Sequence, residues 1–145
     1  MAITSAICSS FKQELLQGKH SFESSGGHTF KIALFTSSAS LGASTTDYST
    51  SNEISNTSGS AYTAGGATLT SVTPVLDSST AVCDFADVSF TSASFTANGC
   101  LIYNDSQSDK AVAVIAFGGD KTVSSGTFTI QFPTADASNA IIRIA

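Results

Sequence analysis

The stretch at residues 110–133 constrains the fold more than any other part of this chain. Its first half, residues 111–117, is apolar on both faces and rich in β-branched side chains, and Gly118 and Gly119 end it. A short run of this kind predicts a strand that is covered on both sides. Its second half, residues 127–132, alternates phenylalanine or isoleucine with threonine or glutamine, which predicts a strand with one buried face. The Gly, Asp and Ser residues in between predict that the two halves form an antiparallel pair, around which the other strands assemble.

The rest of the chain repeats short strand patterns with turn residues between them. These patterns occupy residues 29–36, 61–76, 80–85, 88–93, 95–103 and 140–145. Strands at a spacing of roughly 8–12 residues predict an all-β fold, namely a single antiparallel β-sandwich, jelly-roll-like, over residues 28–145 of a one-domain chain. Pro74 removes a ladder donor, so its strand is expected at an edge or at a bulge. The predicted core consists of Phe30, Ile32, Leu34, Leu101, Val112, Val114, Phe128, Ile130, Phe132 and Ile142.

One amphipathic helix is expected at residues 4–17, within an N-terminal arm of residues 1–20. Its apolar stripe repeats every four residues and is widened by two neighbours, with Lys12, Gln13 and Glu14 opposite. The stripe comprises Ile3, Ile7, Cys8, Phe11, Leu15 and Leu16. Gly18 is the expected C-terminal stop. The helix either packs on the chain's own sheets or serves as an arm that docks on a partner subunit.

The composition favours a folded protein with a weakly charged surface. Apolar residues make up 41% of the 145 residues and charged ones only 12%, while serine and threonine account for close to a third. The net charge is −5, and the six basic residues are dispersed along the chain, which argues against nucleic-acid binding. No apolar run approaches the ~18–20 residues that a membrane helix needs, so no membrane partner is expected. The first residues lack a basic segment typical of secretion signals, so synthesis in a cytoplasm is expected.

Reactive side chains are few and do not form a recognisable catalytic or metal motif. Cys8, Cys83 and Cys100 are widely spaced and predict buried free thiols, with a disulfide between Cys83 and Cys100 left open. His20 and His28 flank a Ser/Gly loop and are interpreted as solvated histidines in preference to metal ligands, because no third ligand is evident.

Asp84 and Asp87 are interpreted as caps of the turn between two strands. The other readings are an acid and base pair of glycosidase type or calcium ligands. We therefore predict no enzyme activity, no cofactor and no metal.

Seven segments of the sequence resemble a family of small virion proteins of tailed bacteriophages. They are AICSSFKQELLQGKH, TFKIALFTSSASLG, YTAGGATL, FTANGCLIYN, KAVAVIAFGGDKT, GTFTIQFP and AIIRIA. The resemblance covers nearly the whole chain and brings no catalytic residues with it. It implies a structural component of the virion, assembled in the host cytoplasm, with other virion proteins and a homo-oligomer of the chain itself as partners.

Within the virion, the expected role is capsid decoration or cementing. The alternatives are a tail, neck or baseplate component, or a receptor- or glycan-binding module displayed on the particle. The Ser/Thr-rich loop at residues 37–60 is the expected contact surface, because a loop this long is usually functional. Its larger apolar side chains, Leu41, Tyr48 and Ile54, have no evident local core, so they are predicted to contact a partner, with Tyr48 as the main anchor.

Overall fold

The computed structural model describes residues 2–55 and 61–145, which are mostly β with antiparallel sheets and one α-helix. The described residues form α1 (Ser9–Leu16), a short 3₁₀ helix (Asp105–Gln107) and the strands β1 (Ala6–Ile7), β2 (Phe30–Phe35), β3 (Ala67–Thr68), β4 (Ser71–Asp77), β5 (Thr80–Phe85), β6 (Val88–Asn104), β7 (Lys110–Ile130) and β8 (Ile142–Ile144). The larger sheet has the order β1-β7-β6-β2-β3, and the smaller sheet has the order β4-β5-β8. The prediction of an all-β antiparallel fold with one helix is confirmed.

The β6–β7 hairpin is the backbone of the larger sheet. Its two strands pair from Asn104 and Lys110 beside the 3₁₀ helix to Val88 and Ile130 at the far end. We call residues 99–104 and 110–117 the inner half of the hairpin, and residues 88–98 and 118–130 the outer half. Most inner-half residues are buried on both faces of the sheet, whereas the outer half alternates between buried or half-buried and exposed positions.

The prediction that residues 111–117 and 127–132 pair with each other is wrong, because residues 111–117 and 127–130 belong to the single strand β7. Gly118 and Gly119 have φ angles of 76° and 144°, and they form a bulge instead of a turn. Ala97 pairs with Lys121 and Gly99 pairs with Ala116, so residues 117–120 of β7 lie opposite Asn98 alone. Glycine accepts positive φ without steric cost, so the two glycines that predicted a hairpin turn are equally suited to a bulge. The predicted strands at 88–93 and 95–103 likewise form one strand, β6.

The two sheets share one core of aromatic and branched side chains. Phe22 stacks on Phe30 with ring centroids 4.4 Å apart, and Phe85 of the smaller sheet lies 5.9 Å from Phe30 and 5.5 Å from Phe132. Seven of the predicted core residues are buried, namely Phe30, Ile32, Leu34, Leu101, Val112, Val114 and Ile142. The other three, Phe128, Ile130 and Phe132, are only half-buried at the border of this core.

The helix begins at Ser9 and not at residue 4, because the preceding residues are extended against the larger sheet. Ala6 and Ile7 pair with Val114 and Ala113, and Ile3 forms an isolated parallel bridge with Leu41. Sheet pairing therefore buries or half-buries the isoleucines that suggested a helical stripe. The helix ends as predicted before Gly18, which has a φ of 71°. Leu16 is 93% exposed and does not belong to the buried stripe.

Strand β4 lies at an edge of the smaller sheet, as Pro74 predicted. The pairing of β4 with β5 shifts register between Val72 and Val75, so Pro74 lies within a bulge. Proline is suited to this place because it has no N–H to donate to a neighbouring strand.

Candidate functional site

The loop that begins at residue 37 is held in place by one carboxylate, that of Glu53. Tyr48 donates its hydroxyl to Glu53 Oε2 at 2.7 Å, and Tyr62 donates to Glu53 Oε1 at 2.5 Å. The backbone N–H of Gly65 also donates to Oε1, at 2.8 Å. The carboxylate of Glu53 therefore joins Tyr48, within the same loop, to Tyr62 and Gly65, which follow the loop.

Tyr48 is further fixed by aromatic stacking on Tyr103 of strand β6. The ring centroids lie 4.5 Å apart at an angle of 10°, and Tyr103 donates its hydroxyl to the carbonyl of Gly65 at 2.6 Å. Burial raises the pKa of both tyrosines well above the usual value, and the hydrogen bond to Glu53 raises that of Tyr48 further. Both hydroxyls therefore remain protonated donors, and their role in this cluster is to hold the loop.

The premise that Leu41, Tyr48 and Ile54 lack a local core is wrong. Ile54 is 4% exposed within the chain's own core, and its N–H donates to the carbonyl of Leu34. Leu41 and Tyr48 are half-buried and pack against the same core. The contact of these three residues with a partner stays a prediction. Leu41 and Tyr48 have some exposed surface available for such a contact, whereas Ile54 has almost none. The rest of the predicted loop, residues 56–60, lies outside the described residues.

The two histidines converge on the side chain of Asn104, at the end of strand β6. Asn104 Nδ2 lies 2.9 Å from His20 Nδ1 and 3.0 Å from His28 Nδ1. An amide nitrogen only donates, so both ring nitrogens accept, and His20 carries its proton on Nε2. That nitrogen donates to Glu14 Oε2 at 2.7 Å. The His20 side chain is fully buried, so its interpretation as a solvated loop histidine is wrong.

This cluster joins the helix to the hairpin without leaving a site for a metal. Glu14 lies on α1 and Asn104 on β6, so the bonds through His20 link two elements that are far apart in sequence. Within residues 2–55 and 61–145, no group of three or more His, Cys, Asp or Glu side chains is placed to hold a metal ion. We therefore assign the cluster a packing role: it satisfies polar atoms in a buried place.

The remaining candidate groups also have structural partners. Asp84 Oδ1 accepts from the N–H of Phe85, and Asp87 Oδ1 accepts from the N–H of Phe132. Cys83 and Cys100 are free thiols, so the disulfide left open above does not form here. Burial raises the pKa of Cys83 to about 11 and that of Cys100 to about 12, which keeps both as neutral thiols.

The most unusual surface lies on the smaller sheet. Five large apolar side chains are exposed among the described residues, and apart from Leu16 they all belong to this sheet: Val72, Val75, Leu76 and Ile144. Leu76 pairs with Ala81, which pairs with Ile144, so the three residues form one row across the sheet. Leu76 is 71% and Ile144 58% exposed. Val75, the neighbour of Leu76 on the edge strand, points to the other face of the sheet, because successive side chains of a strand alternate between its two faces.

A second apolar surface is concave and lies along β7, next to its bulge. It is a cavity of about 600 Å³ lined by Cys100, Ile115, Phe117, Lys121, Phe128, Thr129, Ile130, Gln131, Phe132, Pro133 and Ile141. We call it the β7 groove. Phe128 and Phe132, predicted as core, line this groove and are only half-buried. Lys121 is exposed and is the only cationic residue among those that line the groove.

Sequence reasoning missed Glu53, the exposed row of Leu76 and Ile144, and the β7 groove as functional candidates. Glu53 is a single carboxylate in a loop of hydroxyl residues, and nothing in the sequence places Tyr62 or Gly65 beside it. The groove had a partial signal in the alternation of residues 127–132, which predicted an apolar face but not that the face would be left partly open.

Comparison with models of protein families, with curated proteins and with solved structures finds no match to this chain. In the part of the chain that the structure describes, no helix has the length and apolar character needed to cross a membrane.

Proposed function

We propose that this chain is a non-enzymatic structural component of a bacteriophage virion, a decoration or cement protein of the capsid that binds neighbouring virion proteins. The observation that carries the proposal is the cluster of exposed apolar side chains on the smaller sheet. This cluster consists of Leu76 and Ile144, which are 71% and 58% exposed and lie in one row on one face of the sheet. Clustered apolar exposure marks surfaces that bind other proteins, whereas single exposed apolar residues are ordinary.

The scaffold fits a protein that works by contact. The two antiparallel sheets share a core, and we interpret them as a jelly-roll-like β-sandwich whose rigid sheets present the apolar cluster. Burying a Leu, Ile or Val side chain contributes about 1.5–3 kcal/mol, so a few such anchors dominate an interface. The low content of charged residues limits the desolvation cost of covering the surrounding area.

The resemblance to small virion proteins supports a role in the virion, and the apolar cluster is the surface proposed to contact other virion proteins. A cement protein must bridge more than one subunit, and stable interfaces bury roughly 1,200–2,000 Å² in total. The apolar cluster would form the centre of such an area, with the serine and threonine side chains around it as the rim.

The experiment adds purified protein to phage particles assembled without it and measures the bound fraction after sedimentation. Wild-type protein should bind to saturation, and Ile144→Asp should lose most of this binding because it buries a carboxylate in the contact. Leu16→Asp is the matched control, since Leu16 is an exposed apolar residue outside the smaller sheet. Wild-type protein that fails to bind, or variants that bind alike, would refute the proposal.

A further inference from the structure

We propose that the free edge of strand β7 at residues 117–130 binds an extended segment of a neighbouring virion protein, which joins the larger sheet as a further strand. The segment carries apolar side chains that enter the β7 groove and one acidic side chain that lies next to Lys121. The inference rests on the proposed function, because it names a second surface by which a protein that bridges virion subunits holds a partner. We call the side of residues 117–130 that faces away from β6 the β7 edge.

The first argument is that the β7 edge has no partner within the chain, although the same side of the inner half is paired. Along the inner half, β1 pairs with β7, and the N–H of Ala111 donates to the carbonyl of Thr46 at 2.9 Å. Beyond Ala116, within residues 2–55 and 61–145, β7 forms hydrogen bonds with β6 alone. None of residues 117–130 is buried. An exposed strand edge of this kind is a template for pairing with another chain.

The second argument is that the β7 edge lacks most of the features that protect sheet edges. Native edges are kept from pairing by very short strands, by charged side chains or by proline. Residues 122–132 contain neither a charged residue nor a proline, and most of them are β-branched or aromatic. The bulges of β7 end before Gly126, so residues 126–130 offer a regular stretch of roughly 17 Å. This is the usual length of a strand in a globular protein.

The third argument is that the apolar groove lies beside this edge. Phe117, Phe128 and Ile130 of β7 line about 600 Å³ of space together with residues 131–133 and Ile141, which follow β7 in the chain. Because the lining comes mainly from β7 and later residues, and not from β6, the groove lies on the side of β7 that is left unpaired. Successive side chains of a strand point to opposite faces, so an added segment with an apolar residue at every second position would fill the groove.

The fourth argument is the charge at the border of the groove. Lys121 lines the groove, is exposed, and has no carboxylate within ion-pair distance in the described part of the chain. An acidic side chain on the added strand would form a cross-strand pair of opposite charge with it. Such a pair fixes the register of the contact more than it adds affinity.

The test measures the binding of short synthetic peptides to the isolated protein by fluorescence anisotropy. The first peptide alternates valine with threonine and has one valine replaced by aspartate, and the second has lysine in place of that aspartate. The aspartate peptide should bind about threefold more tightly than the lysine peptide, since a cross-strand charge pair contributes modestly. A third peptide keeps the aspartate and has proline at its centre. It should bind about tenfold more weakly than the first or worse, because proline removes a ladder donor.

Two charge reversals provide matched proteins for this comparison. In Lys121→Glu the preference should reverse, so that the lysine peptide binds more tightly than the aspartate peptide. Lys12→Glu changes an exposed lysine of helix α1 and should keep the preference of the wild type. Both positions are exposed, so neither substitution should disturb the fold.

Hydrogen exchange measured by mass spectrometry locates the contact. Exchange within residues 117–130 should slow about tenfold or more when the aspartate peptide is bound, because N–H groups on the β7 edge gain carbonyl partners. Exchange within α1 should stay unchanged.

Failure of the aspartate peptide to bind, equal binding of the proline peptide, unchanged exchange at residues 117–130, or an unreversed preference in Lys121→Glu would overturn the inference. The same exchange measurement on particle-bound protein separates the two proposals. Protein that binds particles with unchanged exchange at residues 117–130 would refute this inference alone. Peptide binding at the β7 edge by a protein that does not bind particles would refute the proposed function alone.

Discussion

The inner and outer halves of the β6–β7 hairpin share the same two strands and continuous pairing, yet they differ in what covers them. Leu101, Val112 and Val114 of the inner half are buried among the other strands. The outer half has one face of hydroxyl pairs, such as Thr96 with Thr122 at 2.8 Å, and one apolar face on which Phe90 and Phe95 of β6 are buried and Phe128 of β7 is half-buried. Strand pairing alone therefore does not determine how much a segment contributes to the free energy of unfolding. That contribution also depends on how completely other elements cover its two faces.

The boundary between the halves is the bulge opposite Asn98. Bulges raise the local twist of a strand and change the direction of the side chains that follow. The β7 groove lies beside this bulge and is lined by Ile115 and Phe117 of the inner half and by Phe128 and Ile130 of the outer half. The following predictions test this contrast by matched substitutions, starting with the largest effect.

The rate of thiol alkylation should show the largest difference between the inner and outer halves. Cys100 is fully buried in the inner half, and burial raises its pKa to about 12. A Thr96→Cys variant provides an exposed thiol in the outer half. Alkylation of Cys100 at pH 8 should be on the order of a thousandfold slower, because only the thiolate reacts. Mass spectrometry of the labelled peptides measures both rates, and similar rates at the two positions would contradict the burial of the inner half.

Truncation of apolar side chains should give the next largest difference. Leu101→Ala removes a fully buried side chain and should cost about 2–5 kcal/mol in the free energy of unfolding. Phe128→Ala should cost only about half of the 3–5 kcal/mol typical of a buried phenylalanine, since Phe128 is half-buried. Chemical denaturation of both variants provides the values. If Phe128→Ala proved the more costly, the outer half would belong to the core after all.

Two asparagines provide a comparison of polar groups. Asn104→Ala removes the donor shared by His20 and His28 in a buried place, so we expect a loss of about 1–3 kcal/mol. Asn98→Ala removes an exposed bond to Asp120 and should change stability by no more than about 0.5 kcal/mol. Thermal unfolding at constant pH measures the difference. Equal losses would mean that the histidine cluster is hydrated.

Two glycines provide the smallest of these contrasts. A Cβ at Gly99 would lie 2.7 Å from both the carbonyl oxygen of Ile115 and Cγ2 of Ile3, so Gly99→Ala should cost about 1–3 kcal/mol. At Gly126 the nearest atom, Cγ2 of Val123, would be 3.4 Å away, and Gly126→Ala should stay within about 0.5 kcal/mol. If Gly99→Ala left the free energy of unfolding unchanged, Ile3 would not pack closely against β6 at Gly99.

Sequence patterns predicted the elements well where the pattern reflects burial on a regular element. The alternation in residues 29–36 and the apolar run at 111–117 identified strands, and Pro74 identified an edge. The patterns failed where one residue type is equally suited to two different backbone geometries. Gly118 and Gly119 suit a turn and a bulge equally, and only the long-range pairing of β6 with β7 distinguishes the two. Ile3 and Ile7 match a helical repeat, but the bridge of Ile3 to Leu41 and the pairing of Ile7 with Ala113 override that local preference.

The candidate surfaces were harder to predict than the fold, because they depend on what is left uncovered. Tyr48 and Ile54 appeared to have no local core, since Tyr103 and Leu34 reach them only through tertiary structure. Leu76 and Ile144 match ordinary strand residues in the sequence, yet their side chains are 71% and 58% exposed. No local pattern in a single sequence distinguishes an apolar strand residue that is covered from one that is left exposed.

The pairing of β1 with β7 has a consequence for how the chain is made. The N–H of Ala116 donates to Ser5 Oγ across 111 positions of sequence, and Ala6 pairs with Val114. A ribosome that adds roughly 5–20 residues per second needs on the order of ten seconds to make this intervening length. Ala6 and Ile7 are therefore synthesised well before the strand with which they pair, and during that interval they are accessible to chaperones and to other nascent chains. The larger sheet gains its edge strand β1 only after β7 has been made.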